Sequence, residues 1–392
     1  MSYKVKEDVQ NRDYKYKIVY CTPALYMAGG VERVLTLKAN YFADKFGYDV
    51  TIILTEGNGR PLFYPLSERV NVINLDLNFE ELWHCSFLKK VFLYLKKQRQ
   101  FKKKLTNELM RLKPDITVSL LRREINFITG IQDGSKKIGE LHINRANYRN
   151  FDARESNFVK SIFSKFWMRN LVGKLKQLDR LVVLTEKDKE AWVELNNVVA
   201  IPDPLSFQPT SRSELINKRV IAVGRYSYEK GYDMLLSAWK KVSQKCPDWR
   251  LDIFGDGDRS SLEQQIDRLG IDRNSCYLHG RTADVEKEYV NSSLFVCSSR
   301  FEGFGMVIVE AMACGLPVVS FDCPWGPGSI ISDGEDGLLV ENSNVDALAD
   351  SLISVIHSGI DVQELSRNAI EKSNKYKLDT ITLKWKSLFE SL

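Results

Sequence analysis

One rhythm occurs twice along this 392-residue chain and narrows its fold more than any other feature. The apolar stretch Lys17-Ile18-Val19-Tyr20-Cys21 reads as a buried strand. It enters a loop, 22–30, that ends in Gly29-Gly30, then a helical pattern from 31 to about 46 and a second strand pattern over 49–55. Strand, glycine loop, helix, strand is a βαβ unit, and the returning helix makes the two strands parallel. The second half begins again: a strand pattern from Arg219 runs into Gly224-Arg225, followed by an amphipathic helix over 231–246 and a strand over 249–255. Further strand patterns fall at 70–75, 116–121, 137–141 and 181–184, then at 276–280, 294–298 and 317–321, with a helix over about 261–269. The expected fold class is α/β, two doubly wound Rossmann-like domains facing a central cleft. Between them Pro202-Asp203-Pro204 fixes an extended connector, which separates 1–203 from 204–375.

Composition narrows the setting. Apolar residues make up 44% and charged residues 27%, as in a water-soluble globular protein, and no run nears the ~18 apolar residues of a membrane-spanning helix. The first 17 residues are polar and charged and lack the apolar core of a signal peptide, so the chain is expected in the cytoplasm. Seven cysteines, an odd number without a Cys-x-x-Cys pair, point to buried thiols rather than disulfides. Four scattered histidines lack ligand spacing, and no metal site is expected.

Charge is distributed unevenly. Residues 87–113 hold ten Lys/Arg against one acid, Glu108, interleaved with Leu88, Val91, Phe92, Tyr94, Leu95 and Phe101. Residues 159–176 hold five more cations and no acid, again among aromatic and aliphatic side chains. Basic amphipathic helices of this kind lie on anionic membrane surfaces, which would put the protein at the inner face of the cytoplasmic membrane; the alternative is a solvated outer face. No helix-turn-helix, RNA-binding or zinc signature accompanies them, so nucleic acid is not expected as a partner.

Four segments carry residue types suited to a ligand. Glu302-Gly303-Phe304-Gly305-Met306 joins a glycine-punctuated loop to a helix, and Glu310 lies about two turns further on. Backbone N–H groups at such a helix start suit a phosphate, while carboxylates suit sugar hydroxyls. The competing reading makes Glu302 a turn residue and Glu310 a helix residue paired with an arginine. Arg225 and Lys230 follow the first strand of the second half, where a forked and a point cation would clamp a diphosphate or simply face water. Gly29-Gly30 would allow a ligand close to the first helix or form an ordinary tight turn; there is no full dinucleotide fingerprint. His142 ends a strand, and a lone histidine there is either structural or placed at a cleft.

Taken together and in this order, Gly29-Gly30-Val31-Glu32-Arg33, Gly224-Arg225 through Lys230-Gly231, Phe254-Gly255-Asp256-Gly257, His279-Gly280 and the Glu302 to Pro317 segment with its Glu-x7-Glu spacing resemble the retaining glycosyltransferases of family four, which have the GT-B fold. The resemblance spans almost the whole chain. It implies a hexosyl or N-acetylhexosaminyl transferase that needs no metal or other cofactor and uses a nucleotide-diphosphate sugar, with UDP the expected nucleotide. Cys323-Pro324-Trp325-Gly326-Pro327 is similar to a loop of members that build bacterial surface polysaccharides, which makes a lipid-linked or growing polysaccharide the expected acceptor. The implied catalytic set is His142, Arg225, Lys230 and Glu302. The implied donor contacts are Gly29, Gly30, Arg225, Lys230, Arg281, Glu302, Gly303, Phe304, Gly305, Met306 and Glu310. Arg225 and Lys230 would hold the diphosphate, Glu302 the sugar and Glu310 the ribose, with Arg281 near the base. A helix at about 376–392 would cross back onto the first domain. The family's usual Pro-Asn-Pro is Pro202-Asp203-Pro204 here, which adds a charge at the connector. A sugar-nucleotide-binding protein or an epimerase on the same fold is the alternative reading.

Overall fold

The computed structural model describes residues 15–57, 59–145, 168–357 and 359–392. They contain two parallel sheets. The first comprises β1 (Lys17–Thr22), β2 (Asp49–Leu54), β3 (Val70–Asn74), β4 (Ile116–Ser119), β5 (Lys136–Glu140), β6 (Arg180–Val183) and β7 (Val198–Ala200), in the order β3-β2-β1-β4-β5-β6-β7. The second comprises β8 (Arg219–Val223), β9 (Arg250–Phe254), β10 (Cys276–His279), β11 (Leu294–Cys297), β12 (Val318–Phe321) and β13 (Leu338–Val340), in the order β10-β9-β8-β11-β12-β13. In each sheet the strand order reverses beside the first strand, at β1/β4 and at β8/β11. Ligands of open α/β sheets bind at such switch points, outside the strands' carboxyl ends.

The strands form where the apolar runs predict them, because strands covered on both faces read as continuous rather than alternating hydrophobic sequence. Ile18 to Cys21, Val220 to Ala222 and Leu294 to Cys297 are buried throughout. Around β8–β13 the core continues into the helices on both faces, with Trp239 and Leu235 of the helix Tyr232–Lys245 on one side and Val309, Ala311 and Met312 of the helix Met306–Ala313 on the other. The two shortest edge strands, β7 and β13, went unmarked by the sequence patterns, since three residues give too little periodicity to read. The last helix, Leu378–Glu390, buries Trp385 and Phe389.

By contact density the described residues form two compact units, 15–28 with 35–138 and 29–34 with 139–392. Six of the seven cysteines are buried, Cys85 is half-buried, and all are free thiols, as expected. No helix among the described residues is long and apolar enough to cross a membrane. Of the two basic segments, 87–113 is covered by the helix Phe87–Leu112, whereas 159–167 of the second lies outside the described residues.

Candidate functional site

The β8/β11 switch point brings two of the predicted segments together. After β8 the chain turns through Gly224-Arg225-Tyr226, and Tyr226 anchors that loop: its hydroxyl donates toward the carbonyls of Ile253 and His279, each 2.7 Å away. The loop closes with a single helical turn, Tyr228–Lys230, capped by Gly231 at φ 62°, where a side chain would be strained. After β11 the chain enters Ser298-Ser299 and the Glu302 loop. The Ser298 hydroxyl donates to the Lys230 carbonyl at 2.9 Å, which ties the two loops together.

Lys230 and Glu302 meet at this junction, with Nζ 2.7 Å from Oε1 and side chains only 16% and 11% exposed. The Ser299 hydroxyl donates to the same carboxylate oxygen at 2.6 Å. Burial works against the Lys230 charge, but Glu302, with Cys297 and Glu229 adding, outweighs it and holds the ammonium above its ordinary range. The result is a fixed, desolvated cation beside a carboxylate that keeps a second oxygen for other donors. Arg225 behaves differently. Its side chain is 76% exposed and pairs with Glu229 at 3.0 Å, so it borders the loop without entering the Lys230–Glu302 pair.

Gly305, at φ 105°, starts the helix Met306–Ala313, whose first N–H groups have no partner within the helix. Phe304 turns into the core, packing edge-on against Tyr376, so this position offers a ligand its backbone rather than its ring. Glu310 is buried about one turn into that helix, not two. The Ser206 and Tyr289 hydroxyls donate to its two oxygens, and Arg33 Nη1 lies 3.6 Å from Oε1. Burial pushes the Glu310 carboxyl up despite Arg33 and these hydroxyls. The arginine partner that competed with a ligand role in the sequence is therefore present, and it comes from the Gly29-Gly30-Val31-Glu32-Arg33 segment. In that segment a Cβ on Gly30 would lie 3.7 Å from the Met306 sulfur.

His142 lies two residues past the end of β5. Its carbonyl sits where a Cβ on Gly303 would come within 2.6 Å of the oxygen, and Asn144 Nδ2 donates to the Glu302 carbonyl at 3.0 Å. The end of β5 thus braces the Glu302 loop. Arg281 is exposed just after β10, two strands from β8. The structure therefore gathers Lys230, Glu302, Gly303 and His142 in one place, with Gly30, Met306, Glu310 and Arg33 in another part of the same loop-helix junction. Sequence reasoning missed Ser299, Ser206 and Tyr289. Ser299 was within reach, three residues before Glu302, but nothing in the sequence singles out the other two.

Two open, doubly wound parallel sheets with this junction at the second switch point define the GT-B class of α/β protein. A solved structure of the class, Anabaena HepE in complex with UDP and glucose, superposes with a TM-score of 0.71 at 20% identity, over 96% of this chain and 100% of that one. Residues 208–375 match the family model of glycosyl transferases group 1. An uncharacterized glycosyltransferase of Haemophilus influenzae is 30% identical over 92% of this chain and 96% of its own length. The chain belongs to the group 1 glycosyltransferases. A poly(ribitol-phosphate) alpha-N-acetylglucosaminyltransferase of Staphylococcus aureus is also 30% identical, over 66% of this chain, which spans 51% of that protein.

Proposed function

We propose that this protein is a retaining glycosyltransferase of family four, moving a hexosyl or N-acetylhexosaminyl unit from a UDP-sugar to a lipid-linked or growing surface-polysaccharide acceptor. The observation that carries the reading is the desolvated Lys230–Glu302 pair at the β8/β11 switch point. An ammonium held there complements a diphosphate and gains strength as negative charge builds on the leaving group, while Glu302 accepts from sugar hydroxyls. Glu310 then serves the ribose, with Ser206 and Tyr289 aiming its oxygens. Arg225, exposed and on the same loop, would exchange its Glu229 partner for the diphosphate when donor binds. The UDP held by the HepE structure and the poly(ribitol-phosphate) acceptor in the name of the S. aureus relative support the donor and acceptor classes. The test is a panel of nucleotide sugars assayed for nucleotide release with and without a polyprenyl-linked glycan. A UDP-sugar is expected to release UDP faster with the acceptor present. Binding of UDP with no release across the panel would instead identify a binding protein.

We also infer that the helix Phe87–Leu112 meets an anionic membrane surface. Phe87, Leu88, Val91, Phe92 and Leu95 fall within one broad stripe of its first turns and are all exposed, as is Trp83 just before it. Exposed Lys89, Lys90, Lys96 and Arg99 accompany the stripe, each cation contributing about 1 kcal/mol near an anionic surface. The full protein should pellet with vesicles containing anionic lipid at low salt and stay in solution with zwitterionic ones. The triple variant Phe87→Ser, Leu88→Ser, Phe92→Ser should lose that binding. Failure of the unaltered protein to bind anionic vesicles at low salt would make this face a solvated one.

A further inference from the structure

Glu140, His142 and Asp203 form a buried cluster that the transfer chemistry above does not use. Nε2 of His142 lies 3.1 Å from Glu140 Oε1, and Nδ1 lies 3.3 Å from Asp203 Oδ1. The three side chains are 8%, 2% and 9% exposed for His142, Glu140 and Asp203. Each ring nitrogen thus has its own carboxylate, at ion-pair distance and without hydrogen-bond alignment. Two carboxylates buried together are costly unless a cation accompanies them. The ring lies between them, so two protons, one on each nitrogen, answer both carboxylates. A divalent ion would take one nitrogen and leave the other facing a bare carboxylate.

We propose that Asp203 is a positioning residue: together with Glu140 it holds His142 by both nitrogens as a fixed imidazolium strut that braces the Glu302–Gly303 loop, so that His142 neither gives nor takes a proton during transfer. This rests on the reading of that loop as the donor-sugar site. The brace is the backbone contact between the His142 carbonyl and Gly303, reinforced by Asn144 on the Glu302 carbonyl. The charged groups that act on the ring are Asp203, from the connector after β7, and Glu140, the last residue of β5. The Glu302 loop presents backbone to it. Burial opposes charge on the ring, but Asp203 and then Glu140 outweigh burial and raise its pKa from 6.5 to about 9. Because the folded value is raised, the stabilisation is complete below about 6.5 and is lost as pH climbs through about 9.

The experiment is an NMR titration of the imidazole ring protons in the whole protein, with His142→Gln identifying the His142 signal among the four histidines. In the unaltered protein the His142 signal should stay at its cationic position through neutral pH and titrate near 9. In Asp203→Asn the midpoint should fall by about 1 to 3 pH units, the effect of losing one carboxylate partner. Transfer by Asp203→Asn should match the unaltered protein near pH 5, where both rings are charged, and fall about tenfold at pH 8.5, where only one is. A merely structural role for Asp203 would lower transfer equally at both values. A wild-type midpoint near 6.5, or a midpoint unmoved by Asp203→Asn, would overturn the proposal. The titration needs no donor, so it stands even if no nucleotide sugar is turned over. If the ring titrates as expected and transfer does not respond, the brace is wrong while the ion pair is right.

Discussion

Lys230→Ala and Glu302→Ala should each lower kcat/KM for sugar transfer by about 10²–10³-fold or more, the loss seen when one preorganised group is removed from a developing charge. The two are expected to fail for different reasons. Without Lys230 the diphosphate loses a cation fixed in a desolvated site, so both donor affinity and turnover drop. Without Glu302 the sugar loses its acceptor, and Lys230 is left as a buried ammonium with no carboxylate. Removing one member of a largely buried pair strands the other, which costs up to about 3–5 kcal/mol when burial is complete. Here Ser299 still serves Glu302 in Lys230→Ala, so that variant should melt closer to the unaltered protein than Glu302→Ala does. The double variant carries no stranded charge. It should melt higher than Glu302→Ala while transferring no better, a non-additivity that marks two groups acting as one unit. Steady-state kinetics and thermal unfolding on the four proteins suffice. Near-normal transfer in both single variants would remove this pair from the donor site.

That pair shows what the sequence discloses and what it withholds. The switch-point loops were legible because their chemistry is local: glycines beside cations, a carboxylate ahead of a helix start, all at the ends of recognisable apolar strands. The same locality gave β1, β2, β8, β9 and β11 within a residue or two. The partners of Glu310 were not legible. Ser206 is 104 residues away and Tyr289 is 21, and an isolated serine or tyrosine looks the same whether it faces water or a buried carboxylate. Arg225 and Lys230 read alike as cations on one loop, yet one is exposed and the other desolvated, a difference set by the β11 loop lying against only one of them. His142 stood out for its strand-end position, but its two carboxylates lie on different elements. Asp203 was visible as a departure from a family motif, and only the fold shows where its charge goes.

Gly231→Ala should lower stability by about 2–5 kcal/mol and weaken donor binding with it. Part of the cost is conformational: the residue sits at φ 62°, and an L side chain in the left-handed region costs about 1–2 kcal/mol. The rest is steric. A Cβ there would stand 2.1 Å from the Ser298 carbonyl oxygen, a backbone atom that cannot rotate aside, so the Lys230 loop and the β11 loop must separate, adding about 1–3 kcal/mol as overpacking does. For a unit of this size the fall in Tm should be about 5–15 °C. The separation has a functional direction. Gly231 follows Lys230, and Ser298 precedes the serine that holds Glu302, so prising these backbones apart lengthens the Lys230–Glu302 contact on which the donor site depends. Gly334→Ala isolates the conformational part, since Gly334 has φ 75° but no heavy atom within 4 Å of the added methyl. It should melt only a few degrees lower, in line with about 1–2 kcal/mol, and transfer sugar normally. If Gly231→Ala behaves like Gly334→Ala in both melting and donor affinity, the two loops are not held by this contact, and the placement of Lys230 beside Glu302 has to come from the hydrogen bonds between the loops, Ser298 to the Lys230 carbonyl and Arg300 to the Glu229 and Tyr228 carbonyls.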